Sequence, residues 1–168
     1  MTWKPRVVVA AVIEKNGKYL VVEENVDNTR VINQPAGHLE PNETIIEAVK
    51  RETLEETGWK FEPTHLVGIM HLLNENTNRI FIRFTFTGKL IEHIPDYQID
   101  PDINAVHWMT YEQIKAQQNM FWRSPLVMRS LDAHRAGIRH PMDILHTMDA
   151  AGASCLGENE LLSVSPAA

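Results

Sequence analysis

Residues Gly37–Trp59 read GHLEPNETIIEAVKRETLEETGW, and the rest of the chain is best understood outward from them. Thr44-x-x-Glu47 is a capping-box pattern, in which a hydroxyl and a carboxylate each satisfy a backbone N–H that a helix start leaves free. Ile45, Ala48 and Val49 follow at helical spacing. Gly58 is the residue type that ends helices in the left-handed conformation. The spacing therefore predicts a helix from near Thr44 to Gly58. On it, Glu52, Glu55 and Glu56 stand at i, i+3 and i+4, so at about 100° per residue they share one face. Three like charges there repel one another. A bound divalent cation relieves that repulsion, and hard cations such as Mg²⁺ prefer carboxylate oxygens. Arg51 lies one turn after Glu47, where an intrahelical ion pair is available. Upstream, Gly37 permits a close backbone approach, and the Ala36 carbonyl beside it is a further candidate metal ligand.

Before this stretch, Val7–Ile13 is a β-branched run, Asn16-Gly17 is a hairpin turn signal, and Tyr19–Val22 reads as the returning strand. Residues 23–42 read as a polar, irregular loop punctuated by Pro35, Gly37 and Pro41. After it, Thr64–Leu73 and Ile80–Leu90 read as strands around a polar turn at Asn74–Asn78. Ala105–Met109 reads as a short strand, Thr110–Gln117 as a short helix, and Ser124-Pro125 as the opening of a helix to about Arg135. From Asp149 onward the residues are small and weakly periodic, so the expected organisation is one domain over residues 1–148 and a loosely ordered tail over 149–168. Strands lie on both sides of one central helix, and at least one pair is a hairpin. The expected class is α/β of the α+β type, a mixed sheet with helices packed on it, rather than a doubly wound parallel sheet.

Composition narrows the function. Of 168 residues, 16 are Lys or Arg and 22 are Asp or Glu, a formal charge of −6 that disfavours binding to a nucleic-acid backbone. An anionic substrate would then need local positive charge from metal ions or from a few placed Arg and Lys. The single cysteine, Cys155, has no partner for an internal disulfide, which fits a reducing compartment. No apolar run reaches membrane-span length and the start lacks signal-peptide character, so the expected location is cytoplasmic, with no membrane partner. The eight His are scattered without a helical HxxxH pair, so no zinc site is expected.

Gly37, Glu43, Arg51, Glu52, Glu55, Glu56 and Gly58 match every fixed residue of the Nudix box, G-x5-E-x7-R-E-U-x-E-E-x-G-U. By average residue usage such a match at a given position arises by chance roughly once in 10⁸. Thr53 departs from the bulky aliphatic that the pattern wants. The chain thus resembles the Nudix hydrolases. That resemblance implies an αβα sandwich and an enzyme that hydrolyses nucleoside diphosphates linked to another moiety, with Mg²⁺ or Mn²⁺. It implies Glu52, Glu55 and Glu56 as metal ligands, with Glu52 the favoured base and the Ala36 carbonyl a further ligand. Glu43 and Arg51 become orienting residues, and Gly37 and Gly58 backbone-geometry residues.

The segments Pro5–Ala10, Gly17–Glu24, Asn33–Glu40 and Arg123–Val127 are similar to a bacterial phosphatase branch of the family. That likeness implies phosphate release from nucleoside tri- and diphosphates and from thiamine-pathway pyrophosphates. ADP-ribose enzymes of the family typically have a Pro where Leu73 stands, and dinucleoside-polyphosphate enzymes a Tyr where Asn74 stands. A pyrophosphohydrolase acting on ADP-ribose or a damaged deoxynucleotide, and a non-catalytic nucleotide sensor, are the alternatives.

Outside the box, Asp102 is a candidate extra acidic ligand, with Asp100 and Asp96 competing and a plain turn role as the bland alternative. Arg83, alternating on its strand with Phe84, is a candidate phosphate ligand, against the ordinary expectation of an exposed surface arginine. Arg79 is the weaker candidate. His38, Arg123 and Ser124 are candidate phosphate contacts. Tyr19, Phe81, Trp108 and Phe121 could stack on a ring or simply fill core. Monomer and homodimer both stay open.

Overall fold

The computed structural model describes residues 4–75, 77–117 and 121–148. The predicted tail over 149–168, with Cys155, lies outside the described residues. Asn16 and Gly17 take positive φ of 53° and 75°, as a two-residue hairpin demands, and join β2 (Glu14–Lys15) to β3 (Lys18–Val26). A second such turn, Asp27 and Asn28 at φ 50° and 63°, joins β3 to β4 (Thr29–Asn33). This corrects the reading of residues 23–42 as a loop, because they hold the end of β3, all of β4, and β5 (Ala36–His38). The strand charges are compensated across the sheet: Glu23 meets Arg30 at 2.7 Å and His107 at 3.0 Å.

The first sheet has the order β5-β1-β7-β6. Its β1 (Arg6–Val12) runs parallel to β7 (Arg79–His93) and antiparallel to β5, while β6 (Trp59–Asn74) is antiparallel to β7. The second sheet has the order β2-β3-β4-β9, with β8 (Ile103–Thr110) also paired to β3 and β9 (Phe121–Trp122) parallel to β4. Among the described residues, three helices pack on these sheets: α1 (Ile45–Thr57), α2 (Tyr111–Lys115) and α3 (Leu126–Arg135). A 3-10 turn follows at Met142–Ile144. This is the expected mixed α/β architecture. Both long strands overrun their predicted ends, and α2 is shorter than predicted. Among the described residues no helix is long and apolar enough to cross a membrane.

Alternation along β1 and β3 feeds two apolar cores. Val9, Ala11 and Leu20 pack with Val49 of α1 and Phe86, whereas Val12 and Val21 pack with Ile32, Val127 and Leu131 on the α3 side. The predicted helix forms with both halves of its capping box: the Glu47 N–H donates to Thr44 Oγ1 at 3.1 Å, and the Thr44 N–H donates to Glu47 Oε2 at 2.7 Å. Gly58 closes the helix at φ 71°. Thr53 is fully buried, yet its hydroxyl donates to the Val49 carbonyl at 2.7 Å. The helix itself thus satisfies the polar atom where the box pattern wants an aliphatic residue.

Candidate active site

Arg51 joins the loop before α1 to the helix. It grips Glu43 with two bonds, Nε to Oε2 at 2.9 Å and Nη2 to Oε1 at 2.7 Å. Nη2 also donates to the His38 carbonyl at 3.1 Å, and Nη1 to Glu52 and Glu55 at 2.9 Å each. Fork geometry of this kind fixes orientation as well as charge. The Arg51 contact holds the Glu43 carboxyl below the usual range. The intrahelical pair with Glu47 does not form, because Glu47 is committed to the cap.

On the neighbouring side, the Glu52 carboxylate lies against Gly37, where a Cβ would overlap it. Only glycine permits this approach. Glu56, 8% exposed, accepts the Ala36 N–H at 2.9 Å. Burial pushes its carboxyl up to about 9, helped by the charges of Glu24, Glu52 and Asp100. Burial also raises Glu52, despite the opposing contact with Arg51. Desolvation thus disfavours the charged form of both carboxyls. Among the described residues no three His, Cys, Asp or Glu converge as a ready-made metal cage. The donor atoms are nevertheless all oxygens, the set that a hard divalent cation takes.

The other sequence candidates divide. Asp100, whose N–H donates to the Glu55 carbonyl at 2.8 Å, abuts the end of α1. Asp102 is exposed, its N–H spent on Asp100 Oδ1. Arg83 is 4% exposed, contrary to the surface expectation. Its Nη2 donates to Gln34 Oε1 at 2.7 Å, Nη1 lies 3.4 Å from Asn33 Oδ1, and Nε has no partner among the described residues. Burial pulls this guanidinium down to about 10. Arg123 reaches Glu24 at 3.5 Å, and His38 is exposed at the end of β5. Tyr19 is buried against His134, and Trp108 packs against the first core. Glu24 is the acidic residue that sequence reasoning missed. The signal was the Glu23-Glu24 pair, which puts one carboxylate on each face once residues 18–26 are recognised as a strand.

An acidic loop-and-helix element set on a mixed α/β sandwich defines a phosphoanhydride hydrolase. The Nudix domain model matches residues 3–130, and the chain belongs to the Nudix hydrolase family. Among its relatives, phosphatase NudJ of Escherichia coli K12 is 40% identical over 143 residues, covering 85% of this chain and 92% of that protein. A Nudix hydrolase structure from Nitrosomonas europaea is 46% identical with a TM-score of 0.83, covering 88% of this chain and 99% of that one. A MutT Nudix hydrolase of Burkholderia pseudomallei shares the fold, with a TM-score of 0.65 at 19% identity over 78% of this chain and 98% of its own.

Proposed function

We propose that this enzyme is a Mg²⁺-dependent phosphatase of small cytoplasmic phosphoanhydrides, with Mn²⁺ as a possible substitute. It removes orthophosphate from nucleoside tri- and diphosphates and from thiamine-pathway pyrophosphates. The substrate assignment leans on the likeness to a relative named as a phosphatase. The catalytic domain in this reading is residues 1–148. The observation that supports the reading best is the closure of Glu52 and Glu56 on the adjacent backbone of Gly37 and Ala36, with Arg51 bonded to Glu52.

Glu52, Glu55 and Glu56 would hold the divalent ion, with the Ala36 carbonyl as a further ligand and Asp102 as the weakest of the proposed ligands. The ion would supply neutralisation of phosphate charge and a lowered pKa for water. Arg51 and Glu43 hold the loop against the helix, so that the carboxylates stay positioned through turnover. A Glu52 carboxylate oxygen takes the proton from water as the water oxygen attacks the terminal phosphorus. The phosphoanhydride P–O bond breaks, and the shortened phosphate leaves. His38, Arg83 and Arg123 supply positive or donor character toward the phosphates.

The test is product identification on a panel of nucleotides and pyrophosphates, with Mg²⁺ and with chelator. Orthophosphate released only with the metal supports the reading. Pyrophosphate release from triphosphates would replace it with attack at the α phosphorus, and hydrolysis that survives chelation would overturn it.

A further inference from the structure

Register across the second sheet places one exposed aromatic on the same face as the acidic site. In the antiparallel β3–β4 pair Glu24 stands opposite Val31, and in the parallel β4–β9 pair Val31 stands beside Phe121. Side chains directly opposite share a face, so Glu24, Val31 and Phe121 form a row. The row is on the side where Asn33 meets Arg83 and where Arg123, two residues beyond Phe121, meets Glu24 at 3.5 Å. Trp122 faces the other way. It stands beside core residue Ile32, and its Nε1 donates to the Ile114 carbonyl at 2.9 Å. Phe121 is 66% exposed, an unusual position for a ring on a sheet face that also holds charged groups.

Neighbouring strands are about 4.8 Å apart, so the Phe121 strand lies about 10 Å across the sheet from the strand of Glu24. A ligand that joins phosphates to a flat ring would span that row, with its phosphates toward Arg123 and the carboxylates and its ring toward Phe121. Offset stacking on an aromatic face tolerates any planar base, because every such base has a π-face.

We propose that Phe121 is the stacking platform for the planar heteroaromatic ring of the substrate, and that it makes the enzyme prefer ring-bearing phosphoanhydrides over ringless ones. This rests on the phosphoanhydride reading above and goes beyond it by naming the part of the substrate that is selected.

The experiment is calorimetric titration of the full chain in Mg²⁺ with two probes, a non-hydrolysable nucleoside triphosphate analogue and inorganic tripolyphosphate. Phe121→Ala weakens the nucleoside probe about tenfold and leaves tripolyphosphate within about twofold. Phe121→Tyr restores nucleoside binding, and Trp122→Phe retains the wild-type contrast. Equal weakening of both probes, unchanged nucleoside binding in Phe121→Ala, or no wild-type preference for the ring-bearing probe overturns the proposal. So does a ring-specific loss that follows Trp122 instead. Hydrolysis is read separately. If the wild type binds the analogue with the Phe121 contrast but hydrolyses no nucleotide with Mg²⁺, the proposed reaction fails and the ring platform stands.

Discussion

Glu52 and Gly37 illustrate how one residue's chemistry depends on what its neighbour lacks. The carboxylate occupies the space that a side chain at position 37 would take. Glu52→Gln keeps the shape and removes the base. It should lower turnover by about 10²–10⁴-fold while the melting temperature stays near wild type. Gly37→Ala should lower turnover by displacing the same carboxylate. The double variant should then be little worse than Glu52→Gln alone, because both changes act on one group. Steady-state rates for the three variants check this, and fully additive losses would separate the two residues. Arg83 gives a different lesson at this scale. Strand alternation told which neighbours shared its face, but not that Asn33 at the end of β4 and Gln34 in the link to β5 would cover it.

Among the elements, α1 was the most legible. Its start, its end and its acidic face are all local patterns, and each one formed. Thr44→Ala removes the hydroxyl half of the cap and should cost about 1 kcal/mol, which at this chain length is a fall of about 2–4 °C in melting temperature by calorimetry. β4 and β9 were illegible for a physical reason. β4 is a short strand behind an Asp27-Asn28 turn that lacks the glycine usually sought, and charged Glu23, Glu24 and Arg30 interrupt the apolar pattern. β9 is two residues long and exists only because β4 offers it an edge. The site divides in the same way. The helix-borne glutamates and Arg51 could be grouped from spacing alone. Glu24 and Asp100 come from distant segments; strand pairing brings the first near Glu56, and a backbone bond to the Glu55 carbonyl brings the second.

For the molecule as a whole, stability should respond to metal and to acid. If Mg²⁺ binds the folded carboxylate cluster and not the unfolded chain, saturation at a hundred times its Kd adds about 2.7 kcal/mol. Thermal melts should rise with Mg²⁺ in the wild type and rise much less in Glu56→Gln. A melt indifferent to Mg²⁺ would count against the site.

The acid response centres on His134, whose ring faces Tyr19 with Glu14, Arg135 and Arg139 nearby. Burial, then Arg139, pulls its pKa down to about 4. The folded state therefore binds fewer protons than the unfolded one between about 4 and 6.5. This contribution is complete above 6.5 and is lost as pH falls toward 4. Glu56 works in the opposite sense, since a carboxyl raised to about 9 favours the folded state at lower pH. The difference between wild type and His134→Gln isolates the histidine. Between pH 7 and pH 5 the wild-type urea midpoint should fall relative to that of the variant, and a constant difference would remove His134 from the acid response.

The parallel seam between β1 and β7 has a consequence for how the chain is made. Arg6–Val12 is an early, β-branched segment whose partner, Phe81–Thr87, emerges from the ribosome much later. Until then the nascent chain presents an unzipped, greasy ribbon, shielded on one edge at most by Ala36–His38. Synthesis speed and chaperone supply, rather than the finished enzyme's stability, should set how much of it accumulates in usable form.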